Sequence, residues 1–141
     1  MTAPPPLRFY SIVLAVTDLP AMRAWYGRVL GFRERLSGGS DVAGTAFTIM
    51  EGAGTAVELV SRTGVPLIPE TLSQPPAHLD GTGWKTLDLE TDDLAGLDRH
   101  LRAEGVTILW SMRRLSPERA MTLVRDPEGN LIAFFGSPGD G

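Results

Sequence analysis

The chain has 141 residues, 43% of them hydrophobic, with a formal charge of −4 and no cysteine. This length supports one ordinary domain with a sizeable core, and the acidic balance argues against a nucleic-acid partner, which needs a basic stripe. The lack of cysteine excludes disulfides, thiol nucleophiles and thiolate metal ligands, and no window holds the ~20 apolar residues of a membrane span.

The opening run, MTAPPPLRF, lacks a secretory pattern, so a cytoplasmic location is expected, and residues 1–6 read as a loose tail. Tyr10, Ile12, Leu14 and Val16 alternate and predict a first strand with those side chains on one face. Asp18 offers an N-cap oxygen and Pro20 fits the first helical turn. Met22, Tyr26, Val29 and Leu30 then form one helical stripe, ended by Gly31 as a left-handed cap. Phe32–Leu36 reads as a second strand and Ser37–Gly44 as a glycine-rich connection. Thr45–Met50 and Ala56–Val60 read as strands three and four around a Gly52-Ala53-Gly54 hairpin turn.

Residues 61–83 carry Pro66, Pro69, Pro75 and Pro76 and form a long connector, of the kind that serves as a lid, a partner contact or a tether. The first pattern then returns: a strand over Trp84–Glu90, a helix over Leu94–Glu104 with Leu94, Leu97 and Leu101 inward, and Gly105 as the stop. Val106–Ser111, Ala120–Arg125 and Leu131–Phe135 complete the strands, with the run from Asp126 to Asn130 as a turn and residues 137–141 as a frayed end. Asp18 and Asp93 stand 75 positions apart, as do Leu19 and Leu94, which points to an internal duplication. The expected fold is α+β: two βαβββ modules forming a curved, cleft-enclosing eight-stranded mixed sheet, with the helices outside. A single domain over 9–136 would comprise modules at 9–60 and 84–136 joined by the connector.

Alternation assigns sides. Ser11, Val13 and Ala15 point away from the first helix, as do Ala56, Glu58 and Val60 if Val57 and Leu59 face it. In the second module the matching sets are Trp84, Thr86 and Asp88, and Leu131, Ala133 and Phe135. Phe47 and Trp110 are aromatic candidates for the same cleft whose side the pattern leaves open. Trp25 and Tyr26 on the first helix read as core.

Three runs in order, VTDLPAMRAWYGRVLGF, LETDDLAGLDRHLRAEGV and RDPEGNLIAFF, resemble the vicinal oxygen chelate superfamily, which includes glyoxalase I, the bleomycin-resistance proteins and the extradiol dioxygenases. The resemblance implies four inward positions, usually His or Glu, that grip a divalent metal in the enzymes. Those positions here are Ser11, Glu58, Thr86 and Ala133, and Ser11/Thr86 and Glu58/Ala133 keep the 75-residue offset. Hydroxyls are poor ligands for such ions and alanine offers none, so no metal and no cofactor are expected. The two histidines, His78 in the connector and His100 on the second helix, read as ordinary residues, unless the connector folds over the cleft mouth and brings His78 to a ligand.

A metal-free member resembles the bleomycin-resistance type, which binds a drug unchanged, as a homodimer with shared clefts. The implied function is sequestration of a hydrophobic, aromatic small molecule such as an antibiotic, with no catalytic residue. Ser11, Val13, Phe47, Glu58, Trp84, Thr86, Asp88, Trp110, Ala133 and Phe135 would contact that ligand, the aromatic rings by stacking and the two acids through an amine. Inside an apolar cleft desolvation would disfavour the charged form of Glu58 unless a cation or donors compensate. The alternative is an enzyme of the same superfamily (isomerase, cyclase, lyase or dioxygenase) with Glu58 as general base or with an unforeseen metal. A structural reading leaves Glu58 bonded to an arginine or to the Ser11 and Thr86 hydroxyls. No triad surrounds Ser11, Ser61 or Ser111, the Gly52–Gly54 run does not lead into a helix as a phosphate cradle would, and the Asp126–Asn130 turn lacks the further acids of a calcium loop.

Overall fold

Asp18 closes β1 (Ile12–Val16) and opens α1 (Leu19–Leu30), its carboxylate accepting from Ala21 N at 3.0 Å. In the computed structural model, which describes residues 3–40, 44–62, 64–67 and 73–139, the second module repeats this device. Asp93 leads from β5 (Thr86–Glu90) into α2 (Leu94–Ala103) and accepts from Gly96 N at 2.9 Å. Both caps satisfy an amide that the first helical turn leaves unbonded. Gly31 ends α1 at φ 73°, a conformation without penalty only for glycine.

The remaining strands are β2 (Arg33–Ser40), β3 (Thr45–Gly52), β4 (Thr55–Arg62), β6 (Thr107–Arg114), β7 (Ala120–Arg125) and β8 (Leu131–Gly136). The eight strands lie in two four-stranded mixed sheets, ordered β1-β4-β3-β2 and β5-β8-β7-β6, with the helices outside. The duplication extends to register. Ile12 pairs with Val57 and Leu87 with Ile132 in parallel ladders 75 positions apart, while Leu36–Ile49 and Trp110–Leu123 match at an offset of 74.

Four expectations change. The Ser37–Gly44 stretch is not a loop throughout: β2 runs to Ser40, and residues 41–43 fall outside the described part. Gly38 pairs with Phe47 in the β2–β3 ladder, and the Phe47 ring packs over it, 3.5 Å from where a Cβ would stand. Tyr10 precedes β1 and is 57% exposed, so the core-facing set on that strand reduces to Leu14 and Val16. Trp84 likewise precedes β5, which starts at Thr86, and it is 87% exposed. β6 reaches Arg114, past the expected Ser111, with register shifts on both sides of Trp110.

One apolar cluster joins the modules. Met22, Trp25, Tyr26 and Val29 of α1 share it with Leu94 and Leu101 of α2, with Val57 and Leu59 of β4, and with Val124, Ile132 and Phe134 of β7 and β8. Trp25 and Tyr26 are therefore core, as expected, their rings meeting edge to face at 5.1 Å. Polar ties run beside this cluster. His100 Nε2 lies 2.8 Å from Val29 O, and Arg28 pairs with Glu104 at 2.7 Å. At the end of β7 the run from Asp126 to Asn130 docks on the first module: Glu128 accepts from Thr17 N and Asp18 N, and Asp126 accepts from the Tyr26 hydroxyl.

Candidate functional site

The face of each sheet turned away from the helices is read rung by rung across the strands. In the first sheet one rung is Val13–Glu58–Ile49–Leu36 and the next is Ala15–Val60–Phe47–Gly38. In the second sheet three rungs follow: Thr86–Leu131–Arg125–Thr107, Asp88–Ala133–Leu123–Trp110, and Glu90–Phe135–Met121–Arg113. Val57 and Leu59 join the core under α1, so Glu58 points the other way, as alternation required.

The two faces differ in character. On the first, Val13 is 60% exposed, Glu58 and Phe47 are half-buried, and Ser11 stands half-buried just before β1. Glu58 makes no hydrogen bond or ion pair among the described residues. The bonds that a structural role would have given it to Ser11, Thr86 or an arginine are not formed. The Thr86 hydroxyl turns instead to Asp88 Oδ1 on its own strand, at 2.5 Å.

The second face carries a small apolar cluster of its own. Leu123, Leu131 and Ala133 are buried, and Leu109, Trp110, Met121 and Phe135 pack partly exposed around them. Two arginines that sequence reading did not single out lie over its rings. The Arg113 guanidinium stands 4.3 Å from the Trp110 centroid, and that of Arg119 stands 5.4 Å from Phe135 while bonding Glu90 at 3.0 Å. Acids on β5, an apolar floor on β8 and β7, and an indole with a guanidinium on β6 thus succeed one another across the sheet. A shallow hollow opens beside Asp88, Leu89, Glu90, Arg119 and Phe135.

The structure groups Asp88, Trp110 and Ala133 on one rung, with Thr86 and Phe135 on its neighbours. It groups Val13 with Glu58 on the other sheet, one rung from Phe47. Trp84 stands apart from both sets. His78 departs from the ordinary surface reading. It sits buried on a short 3-10 helix, Ala77–Asp80, in the part of the connector that Arg125 Nη2 tethers through Ser73 O at 3.2 Å.

Metal chemistry at the superfamily's position was tested on the donor set. Ser11, Glu58, Thr86 and Ala133 offer one carboxylate, and the described residues contain no group of three or more His, Asp or Glu side chains able to hold an ion. A divalent first-row metal does not fit these residues.

The residues sequence reading missed lie in the Asp126–Asn130 turn. Asp126 Oδ1 accepts from Glu128 N, Asn130 N and Asn130 Nδ2, and Oδ2 accepts from Tyr26 Oη and Asn130 Nδ2. Burial nevertheless pushes the Asp126 carboxyl above its ordinary range, with those donors opposing the rise. Burial first, and the Asp126 charge second, hold the Tyr26 hydroxyl well above its usual value. This cluster binds module to module.

The model of the Glyoxalase/Bleomycin resistance protein/Dioxygenase superfamily matches residues 8–134, and the chain belongs to that superfamily. Among curated proteins no relative matches. Solved structures that share the fold include a glyoxalase family protein from Bacillus cereus, 14% identical, with 99% of each chain covered and a TM-score of 0.78. TioX from Micromonospora sp. ML1 is 26% identical over 92% of this chain and 98% of its own, with a TM-score of 0.65. The trypanothione-dependent glyoxalase I of Leishmania major is 19% identical over 93% of this chain and 87% of its own, with a TM-score of 0.69. The fold is thus shared with proteins of named enzymatic activity, and the site has to decide this chain's own chemistry. No helix among the described residues is long and apolar enough to cross a membrane.

Proposed function

We propose that this protein binds an apolar, aromatic small molecule and holds it unchanged, without a metal, an antibiotic being the natural-product class that suits such a site. The observation that carries this reading is the rung Asp88–Ala133–Leu123–Trp110. It sets an acid, an apolar floor and an indole in line, a surface matched to a planar ligand bearing an amine. Stacking on Trp110 and Phe135 contributes ~0.5–1.5 kcal/mol per ring beyond area burial. Glu58, without a partner among the described residues, supplies a second acceptor for such an amine. The faces bearing Glu58 and Trp110 belong to different sheets, and a homodimer in which the first module of one copy faces the second of another completes the cleft. The protein works in the cytoplasm.

A panel of planar aromatic compounds, read by tryptophan fluorescence with Trp84→Phe as the background variant, tests this. Tight binding that Trp110→Phe weakens, with the compound recovered unaltered, supports sequestration. A second reading makes Glu58 a proton-transfer base, favoured by the same absence of partners at its carboxylate. Turnover that Glu58→Gln abolishes would replace the first reading by the second.

A further inference from the structure

β6 breaks its own alternation twice. Trp110 pairs with Leu123 and Arg113 with Met121, so three steps on β6 answer two on β7, and a further shift lies between Ile108 and Trp110. In a regular strand, residues three apart face opposite sides. On β6, Leu109 and Trp110 join the apolar cluster of the open face, Ser111 and Met112 turn toward α2 and the main core, and Arg113 comes back over the indole. The irregular stretch is tied down. Ser111 Oγ donates to Asp98 Oδ1 on α2 at 2.8 Å, and Met112 N donates to the buried Thr122 Oγ1 at 3.0 Å. Met112 itself sits at φ 47°, a left-handed conformation uncommon outside glycine. Bulges of this kind re-aim side chains.

The side chain re-aimed on β6 is a cation. Its guanidinium carbon lies 4.3 Å from the Trp110 centroid, and Arg113 makes no hydrogen bond or ion pair among the described residues. Glu90, the acid at the far end of Arg113's own rung, is already bonded to Arg119 at 3.0 Å. Contact with an aromatic ring limits the guanidinium's freedom and leaves its N–H groups able to donate. The group that matches this fork is a planar carboxylate, which accepts two parallel N–H bonds. On the neighbouring rung, Leu123 and Ala133 lie between Trp110 and Asp88, whose strands are three spacings, or about 14 Å, apart.

We propose that Arg113, held over Trp110 by the bulge at Met112, is the specificity-determining residue of the open face and takes a carboxylate carried by the aromatic ligand. This deepens the sequestration reading and rests on it. The ligand's rings lie on Ala133 and Leu123 beside the indole, its acid meets Arg113 and its amine meets Asp88. The preferred class is therefore an elongated aromatic molecule with an acid at one end and an amine at the other.

Calorimetric titrations with naphthalene-2-carboxylate and naphthalene-2-carboxamide at neutral pH test this, because the two compounds share their rings and differ in charge. The carboxylate should bind about fivefold more tightly, the upper end for an exposed ion pair, and the excess should shrink at high salt. Arg113→Gln should bring the two compounds to equal affinity. Arg113→Lys, which keeps the charge without the planar fork, should restore only a small part of the preference. Arg113 is exposed, so these replacements leave the core intact, and thermal melts verify it. Equal binding of the two compounds by the parent protein overturns the proposal and leaves sequestration standing. A preference that survives Arg113→Gln also overturns it, because another cation then reads the acid. Failure of both compounds to bind overturns the proposal and counts against the reading beneath it as well, so the two failures are told apart.

Discussion

The Tyr26 hydroxyl donates to Asp126 Oδ2 at 2.9 Å, joining the middle of α1 to the last turn of the second module across 100 positions of sequence. Tyr26 is 2% exposed, so the bond is shielded from water, and it is one of five that the carboxylate accepts.

Tyr26→Phe should therefore cost about 1.5–3 kcal/mol near neutral pH, the range for a hydrogen bond to a charged group. The sign with pH follows from the raised Asp126 carboxyl. It holds its proton more tightly in the folded chain than in the unfolded one, so its contribution is fully present below the ordinary 3.8 and is lost as pH rises through the folded value. Removing a donor raises that folded value further. Urea melts over a pH series should show the deficit of the variant shrinking on acidification, and a deficit independent of pH would contradict the assignment.

Glu128 is expected to matter as much. Its two oxygens take Thr17 N at 2.7 Å and Asp18 N at 3.0 Å, where the chain leaves β1 for α1. Glu128→Ala leaves both amides without the carboxylate and should cost about 2–3 kcal/mol, and Glu128→Gln, which keeps one acceptor oxygen, about half as much. Thermal melts of the two variants beside the parent measure the difference.

Gly136 closes β8 against the start of α2. A Cβ there would lie 2.9 Å from Thr91 O and 3.1 Å from Leu94 Cβ, and backbone cannot retreat as a flexible side chain does. Gly136→Ala should destabilise by about 1–3 kcal/mol, the usual cost of overpacking. Gly38→Ala should cost less, because its neighbours are Phe47 ring atoms at ordinary contact distance. Chemical denaturation ranks the pair.

The duplicated caps give a paired prediction. Asp18→Ala and Asp93→Ala each remove one side-chain bond to a first-turn amide, to Ala21 N and Gly96 N respectively. Each should cost about 1 kcal/mol. The Asp18 loss should shrink in a Glu128→Ala background, because Glu128 holds the same turn, whereas the Asp93 loss should add independently. A double-mutant cycle reads the coupling.

Much of this architecture was legible because alternation and capping are local. Val57 and Leu59 declare the helix side of β4 by their spacing, and Asp18 and Asp93 declare two helix starts by their chemistry. What escaped depends on contacts distant in sequence. The Ser37–Ser40 run has loop composition, yet it stays in a strand by pairing with Thr45–Thr48, the Phe47 ring lying against Gly38 nine positions earlier. The acids at Asp126 and Glu128 look like turn residues until Tyr26, Thr17 and Asp18 are brought to them. For the candidate site, parity placed Glu58, Asp88 and Ala133 away from the helices, but it could not foresee that Trp84 stands outside its strand or that His78 is enclosed. Arg113 and Arg119 were passed over because a guanidinium over a ring leaves no trace in spacing.

The tie between the repeats is one-sided. The β7–β8 turn carries two acids that grip the other half, while its counterpart, Gly52-Ala53-Gly54, has no side chain able to return the grip. The halves therefore descend from one pattern without remaining equal partners: the trailing repeat acts as host and the leading one as guest. Substitutions that loosen the host's turn are felt first at the guest's helix start, on the strand that also borders the Glu58 face.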